Sequence, residues 1–243
     1  MQSPWVAAMA WRDLAFFHWR VDPARVAAHL PPGLEVDLYR GEAWLGVVPF
    51  RMANARLRGI PASPPFLELN LRTYVAADGV PGVWFFSLDA GSPSAVRAAR
   101  AVLHLPYFNA DIERREEGGW IHDRSVRIHR GEAQAQFAGT FRPVGPAFKA
   151  AVDSLEHWLT ERYFLYALTP SGRLTRGAVA HVPWPLRDAL GHVDQCSLGE
   201  PFGLPLEGSP LVHASVGVAV RAWMPQTVRL PRPGGQFSAS PPL

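Results

Sequence analysis

The sequence predicts a mostly β, β-rich α+β fold. Three observations carry that expectation: apolar runs of strand length recur along the chain, turn residues separate them, and helical spacing is confined to three stretches. With 48% of 243 residues hydrophobic, the chain can bury one full core, so a single domain is expected.

The elements follow in order. Asp22 suits a helix N-cap and Pro23 the first helical position, while Leu30-Pro31-Pro32-Gly33 stops the chain from continuing, so a short helix is expected over 23–30. Strand patterning marks 43–50, 66–75 and 83–88, and a helix introduced by Ser94 follows over 94–104. Two more strands are expected over 124–129 and 133–141, then a long helix over 153–168. Residues 203–210 read as a surface loop, because 211–223 resume strand patterning. The stretch 225–243, with Pro-Arg-Pro-Gly-Gly and Ser-Ala-Ser-Pro-Pro, lacks the apolar residues to pack a core. The expected organisation is therefore one domain over 1–224 and a disordered tail over 225–243.

Charge and composition narrow the function classes. The 24 basic and 21 acidic residues are interspersed, which leaves no basic stripe for nucleic acid. No apolar run approaches the roughly 18 residues of a membrane helix, and Arg12 and Asp13 interrupt the apolar start before a secretory pattern develops. Cys196 is the only cysteine, so an internal disulfide is excluded and a soluble, cytoplasmic protein is expected.

The nine histidines lack metal-ligand spacing, and His157 with Glu161 reads as an ordinary helical pair rather than two ligands, so no metal is expected. Cys196 lies near His192 and Asp194 in sequence, but no nucleophile-elbow motif surrounds it. Neither a Gly-x-Gly-x-x-Gly fingerprint nor a phosphate-cradling Gly-Lys-Ser/Thr occurs, and no cofactor is expected. Lys149 is the sole lysine, in a segment that reads as a surface connection.

A series of motifs runs through the chain in order. It comprises Arg12-Asp13 with the stretch to Asp37, Ala43-Trp44-Leu45-Gly46-Val47-Val48-Pro49-Phe50, Phe66-Leu67-Glu68-Leu69-Asn70-Leu71-Arg72-Thr73-Tyr74, Leu105-Pro106-Tyr107, and Leu159-Thr160-Glu161-Arg162-Tyr163. Together these resemble the bacterial YqjF-like family, domain of unknown function 2071, within the acetoacetate decarboxylase-like superfamily. The resemblance implies a mostly antiparallel β-barrel around a small polar cavity, with a few flanking helices. Related barrels associate, which leaves a homo-oligomer open as a partner state.

In the decarboxylase a buried lysine forms an imine with the keto acid. Here the matching positions hold Tyr107 and Phe108 after Pro106, and neither can form an imine. Tyr107 could donate a hydrogen bond or carry a proton, or it could simply fill the barrel. Glu68 matches a carboxylate that lines the family's cavity. Strand alternation places Glu68, Asn70, Arg72 and Tyr74 on one face, which alternation alone assigns to solvent and the resemblance to the cavity. Arg12 matches an arginine suited to holding a substrate carboxylate, the alternative being a surface pair with Asp13, and Arg100 matches a helical arginine of the family. A second family carboxylate falls near Gly46, where no acid stands.

The expected function is binding of a small anionic or carbonyl-bearing molecule. Glu68 and Tyr107 are the candidate catalytic residues, and Arg12, Asn70, Arg72 and Arg100 the candidate ligand holders. If this is an enzyme, lyase- or hydrolase-like chemistry on a small organic acid without a Schiff base is expected. The alternative is a noncatalytic binding or sensing protein that lost the lysine nucleophile.

Overall fold

In the computed structural model, which describes residues 4–229, long strands are built early in the chain. β1 (Ala7–Val21) pairs antiparallel with β3 (Ala43–Leu57), and between them lie α1 (Pro23–Ala27) and the short β2 (Glu35–Val36). Asp22 caps α1 by accepting from the Ala24 amide at 2.9 Å, and Pro23 occupies the first turn. β4 (Phe66–Ala77) and β5 (Val80–Ala90) form a hairpin, followed by α2 (Pro93–Leu103). Three further strands, β6 (Tyr107–Glu117), β7 (Trp120–Arg127) and β8 (Gln136–Phe148), meander antiparallel. After α3 (Leu155–Thr160) come β9 (Phe164–Leu168), β10 (Leu174–Ala180), β11 (Leu186–Cys196), β12 (Leu211–Ala222) and β13 (Gln226–Thr227). Among the described residues no helix is long and apolar enough to cross a membrane.

The pairings close the sheet on itself twice. The strand sequence β12-β1-β3-β4-β5-β9-β10 returns to β12 and makes a smaller ring. A larger ring runs β12-β1-β3-β4-β5-β6-β7-β8-β11 and also returns to β12. Both share β12, β1, β3, β4 and β5, so each face of those strands lines a different interior. All pairings are antiparallel except β5 with β6 and β5 with β9.

Strand alternation sorts the shared side chains. Phe17, Leu45, Val47, Leu69 and Leu71 turn to the larger ring, where Phe137 and Phe141 complete a buried apolar core. Leu14, Phe16, Val48 and Phe50 turn the other way and pack on Trp184. Gly217 is demanded by the fold: its φ is +109°, and a Cβ there would lie 1.9 Å from the Trp11 carbonyl oxygen.

Several expectations need correction. The helix expected over 153–168 ends at Thr160, and Phe164–Leu168 is strand β9, paired with β5 and β10. The aromatic run Tyr163-Phe164-Leu165-Tyr166 favours a pleated, buried surface over another helical turn. Glu161 is consequently not on a helical face with His157; it accepts from the Trp184 amide at 2.9 Å and from the Tyr163 hydroxyl. The strand expected over 124–129 is β7 and starts earlier, at Trp120. Charges dilute the apolar residues of β6 and β11, β10 is short, and the mostly apolar β1 is interrupted by Arg12 and Asp13, so none of the four stands out by alternation. The expected tail begins inside the fold: Gln226 and Thr227 pair with Arg176 and Thr175, and the Val228 amide donates to Leu174. The rest of that tail, beyond residue 229, lies outside the described residues.

Candidate functional site

β4 carries the polar face that lines the smaller ring. Glu68, Asn70 and Tyr74 are 2%, 5% and 0% exposed, so this face is interior and not solvent. The Tyr107 hydroxyl, delivered by the first residue of β6, donates to Glu68 Oε1 at 3.1 Å. These are the two residues singled out as catalytic candidates, and the fold joins them across 39 positions of sequence. Burial pushes the Glu68 carboxyl up to about 8, and nearby Asp89 adds to the rise while the Tyr107 hydrogen bond opposes it. Burial and the adjacent Glu68 also hold the Tyr107 phenol well above its ordinary value. At neutral pH both groups are therefore protonated. Glu68 Oε2, buried with no hydrogen-bond partner, is free to present a proton or to accept one.

Arg72 lies four residues along the same strand face, about 13 Å from Glu68 at 3.3 Å per residue. Its guanidinium sits 5.7 Å from the ring centres of both Phe16 and Tyr74, and Nη2 donates to the Leu159 carbonyl at 3.4 Å. Nε is buried without a partner, and no carboxylate of the described residues is ion-paired to this arginine. Between the two ends stands Asn70, whose Oδ1 is likewise buried and unpartnered.

Around Arg72 the fold assembles a buried polar cluster whose other members sequence reasoning missed. His18 Nε2 and the Tyr74 hydroxyl are 2.7 Å apart in a buried hydrogen bond. Burial, aided by the positive charge of Arg72, holds His18 well below the ordinary histidine range, so it is neutral. Arg162 stacks over Tyr74 at 5.2 Å and is tied to Asp37 at 2.6 Å. His213 of β12 is 3% exposed and also carries an unpartnered Nδ1. Gly46 makes room for this arrangement, because a Cβ there would lie 3.2 to 3.3 Å from the His18 ring and the Tyr74 hydroxyl. The position where the family pattern suggested an acid thus holds the space for the His18–Tyr74 bond. A signal existed: His18 continues the alternating face of Leu14 and Phe16, and a histidine in such a stripe must be buried.

The remaining candidates fall elsewhere. Arg12 is exposed, and Asp13 pairs instead with Arg51 at 3.4 Å on the surface. Arg100 is also exposed; its Nη1 donates to the Tyr107 carbonyl at 2.7 Å and its guanidinium lies 5.6 Å from the Phe108 ring centre. It therefore braces the backbone of Tyr107 from outside and does not reach the interior. Lys149 is exposed, and burial pushes the Cys196 thiol up to about 11, which removes its nucleophilic form near neutrality. Among the described residues no group of three or more His, Cys, Asp or Glu side chains is gathered as a metal site would need.

Comparison with known proteins gives the arrangement its context. The DUF2071 family model, described as an uncharacterized conserved protein, matches residues 8–219. Uncharacterized protein YqjF of Bacillus subtilis (strain 168) is 40% identical over 223 residues, covering 90% of this chain and 91% of that protein. Among solved structures, an acetoacetate decarboxylase-like enzyme from Sphingomonas wittichii RW1 superposes with a TM-score of 0.65 at 14% identity, covering 94% of this chain and 95% of that one. The enduracididine biosynthesis enzyme MppR complexed with pyruvate superposes with a TM-score of 0.64 at 15% identity, covering 93% and 91%. At such identities the likeness is one of fold. The family match over nearly the whole chain, together with the YqjF relative, makes this protein a member of the DUF2071 family with an acetoacetate decarboxylase-like fold.

Proposed function

We propose that the smaller ring's interior binds a small carboxylic acid carrying a carbonyl group and polarises that carbonyl by hydrogen bonds, without an imine. The buried Glu68–Tyr107 pair is the observation that carries this reading. A carboxyl pushed up to about 8 and held by a phenol is a neutral donor at pH 7, with its second oxygen unoccupied. Placed beside a carbonyl oxygen, it stabilises the negative charge that develops there, the role a protonated acid plays in oxyanion holes. Near pH 8 the same group exchanges its proton readily, as general acid–base catalysis requires. Arg72, whose Nε has no partner among the described residues, supplies the charge that a substrate carboxylate needs, and Asn70 lies between.

A thermal-shift series with oxo acids of increasing length, pyruvate, acetoacetate and levulinate, and with acetate tests the reading, since a ligand that binds the folded state raises Tm by mass action. Stabilisation by the oxo acids that Arg72→Met abolishes and Glu68→Gln weakens is the expected result. No shift with any carboxylate, or shifts insensitive to both substitutions, would sink the proposal. Treatment with pyruvate and borohydride leaves the protein mass unchanged in this scheme; a reduced adduct on Lys149 would restore imine chemistry. That Tyr107 and Phe108 stand where the decarboxylase keeps its imine-forming lysine favours a second reading, in which the same pocket binds or senses the acid without turnover. Product analysis after prolonged incubation separates the two.

A further inference from the structure

β5 changes neighbours along one edge. Its Val83 and Trp84 pair with Leu165 and Tyr166 of β9, whereas Leu88, Asp89 and Ala90 pair with Tyr107, Phe108 and Asn109 of β6. Both pairings are parallel, and the other edge of β5 is taken by β4. Phe85, Phe86 and Ser87 thus have no strand partner on the edge where the two rings part. A cavity of about 260 Å³ occupies this fork, with Trp84, Phe85, Phe86, His104, Pro106 and Ala167 in its lining. Trp84, Phe85, His104 and Pro106 are half-buried, so the cavity meets solvent.

The fork adjoins the polar site. Phe85 and Ala167 belong to the packed cluster that contains Tyr107, and Pro106 immediately precedes it. In register, Phe85 stands opposite Arg72 and Ser87 opposite Leu71. Phe86 instead joins the core of the larger ring, so the fork lies on the seam between the two interiors. Other approaches are occupied by tryptophans: Trp158 of α3 lies 4.7 Å from Tyr74, and Trp184 stacks on Trp11 at 6.0 Å and meets Phe16 edge-on at 5.3 Å. In volume the fork exceeds the roughly 150 Å³ that holds a benzene ring in a protein interior.

We infer that this fork is the port of the smaller ring, and that it selects ligands carrying an aromatic or similarly bulky apolar group beside the acid end. The inference deepens the proposed function, from which it takes the acid end, but its test requires neither turnover nor an identified ligand. In a Cys196→Ser background, Tyr107→Cys places one thiol next to Pro106 of the fork's lining, in the cluster that holds Phe85 and Ala167, and Leu190→Cys places a reference thiol on the surface, where Leu190 is 49% exposed. Labelling rates with methyl and benzyl methanethiosulfonate are followed by mass spectrometry.

Seating a benzyl group in the fork favours the benzyl over the methyl reagent at position 107 by about tenfold relative to position 190, the rate equivalent of burying one apolar side chain. Ala167→Leu, which fills the fork, is expected to erase that preference and slow both reagents at position 107 while leaving position 190 unchanged. Ala167→Val replaces it if circular dichroism shows the leucine variant unfolded. A benzyl-to-methyl ratio equal at the two positions, or labelling at 107 indifferent to the filled fork, overturns the inference. Failure of the carboxylate thermal shifts with this labelling pattern intact would instead remove the acid-binding reading and leave the port.

Discussion

The two ring interiors share β12, β1, β3, β4 and β5 and yet hold opposite kinds of polar group. In the larger ring the buried charges are matched. Arg127 binds Asp89 through two bonds of 2.7 and 2.9 Å, and Arg114 binds Asp123 through two of 2.6 and 2.7 Å. Phe108 and Phe141 lie under these guanidiniums at 4.1 and 5.9 Å. In the smaller ring His18, Glu68, Asn70, Arg72 and His213 each leave a buried polar atom without a partner. An unsatisfied buried group costs about 1–3 kcal/mol, so a fold tolerates several together only where something other than stability retains them. One interior matches its buried charges within the protein, and the other leaves several buried polar atoms without a partner among the described residues.

The largest expected effect separates the two arginines. Arg127→Ala leaves Asp89 uncompensated in the core and should destabilise the fold by about 3–5 kcal/mol. Arg72→Met removes a half-buried charge that has no carboxylate partner among the described residues, and should change stability by less than about 1 kcal/mol, or increase it. Urea unfolding of both variants decides the matter, and equal losses would dissolve the distinction between the interiors.

Next in size is a pH effect. Because the Glu68 carboxyl is raised from 4.5 to about 8 in the folded state, the unfolded chain releases its proton first. The contribution of Glu68 is present below about pH 4.5 and is lost as pH rises toward 8. Glu68→Gln, which mimics the protonated form, should therefore gain about 2 kcal/mol relative to the parent between pH 5 and 8, allowing for relaxation around the charged form. Parallel stability curves for parent and variant across that range would place Glu68 in contact with solvent.

The smallest effect belongs to Tyr107→Phe, about 1 kcal/mol for one hydrogen bond. Its sharper readout is the titration of Glu68 by carboxyl-carbon NMR. The hydroxyl now lowers the Glu68 value, so its removal should move that titration upward, and an unchanged titration would mean the pair is not coupled.

Legibility in the sequence follows from what alternation can encode. A period of two assigned Glu68, Asn70, Arg72 and Tyr74 to one face of β4, and motif comparison found Tyr107 where a lysine was expected. It could not say which face meets solvent, because in a shared strand both faces are buried and an alternating polar face reads as exposed. Arg12 and Arg100 were drawn into the site by motif position alone; a strand bulge carries the first outward and the end of α2 leaves the second braced on the Tyr107 carbonyl. Metal-ligand spacing does not mark His18 or His213; the strand faces they occupy are what bury them.

By itself the sequence determined a β-rich chain, the polar stripe on β4, and the loss of any amine at the position of Tyr107. Only the tertiary structure decided that the stripe faces inward, that Tyr107 reaches Glu68, and that Gly46 leaves space for His18 to meet Tyr74. The physical reason is closure. Local residue patterns fix which side chains share a face, but the pairings of β10 with β12 and of β5 with two parallel partners determine what each face encloses.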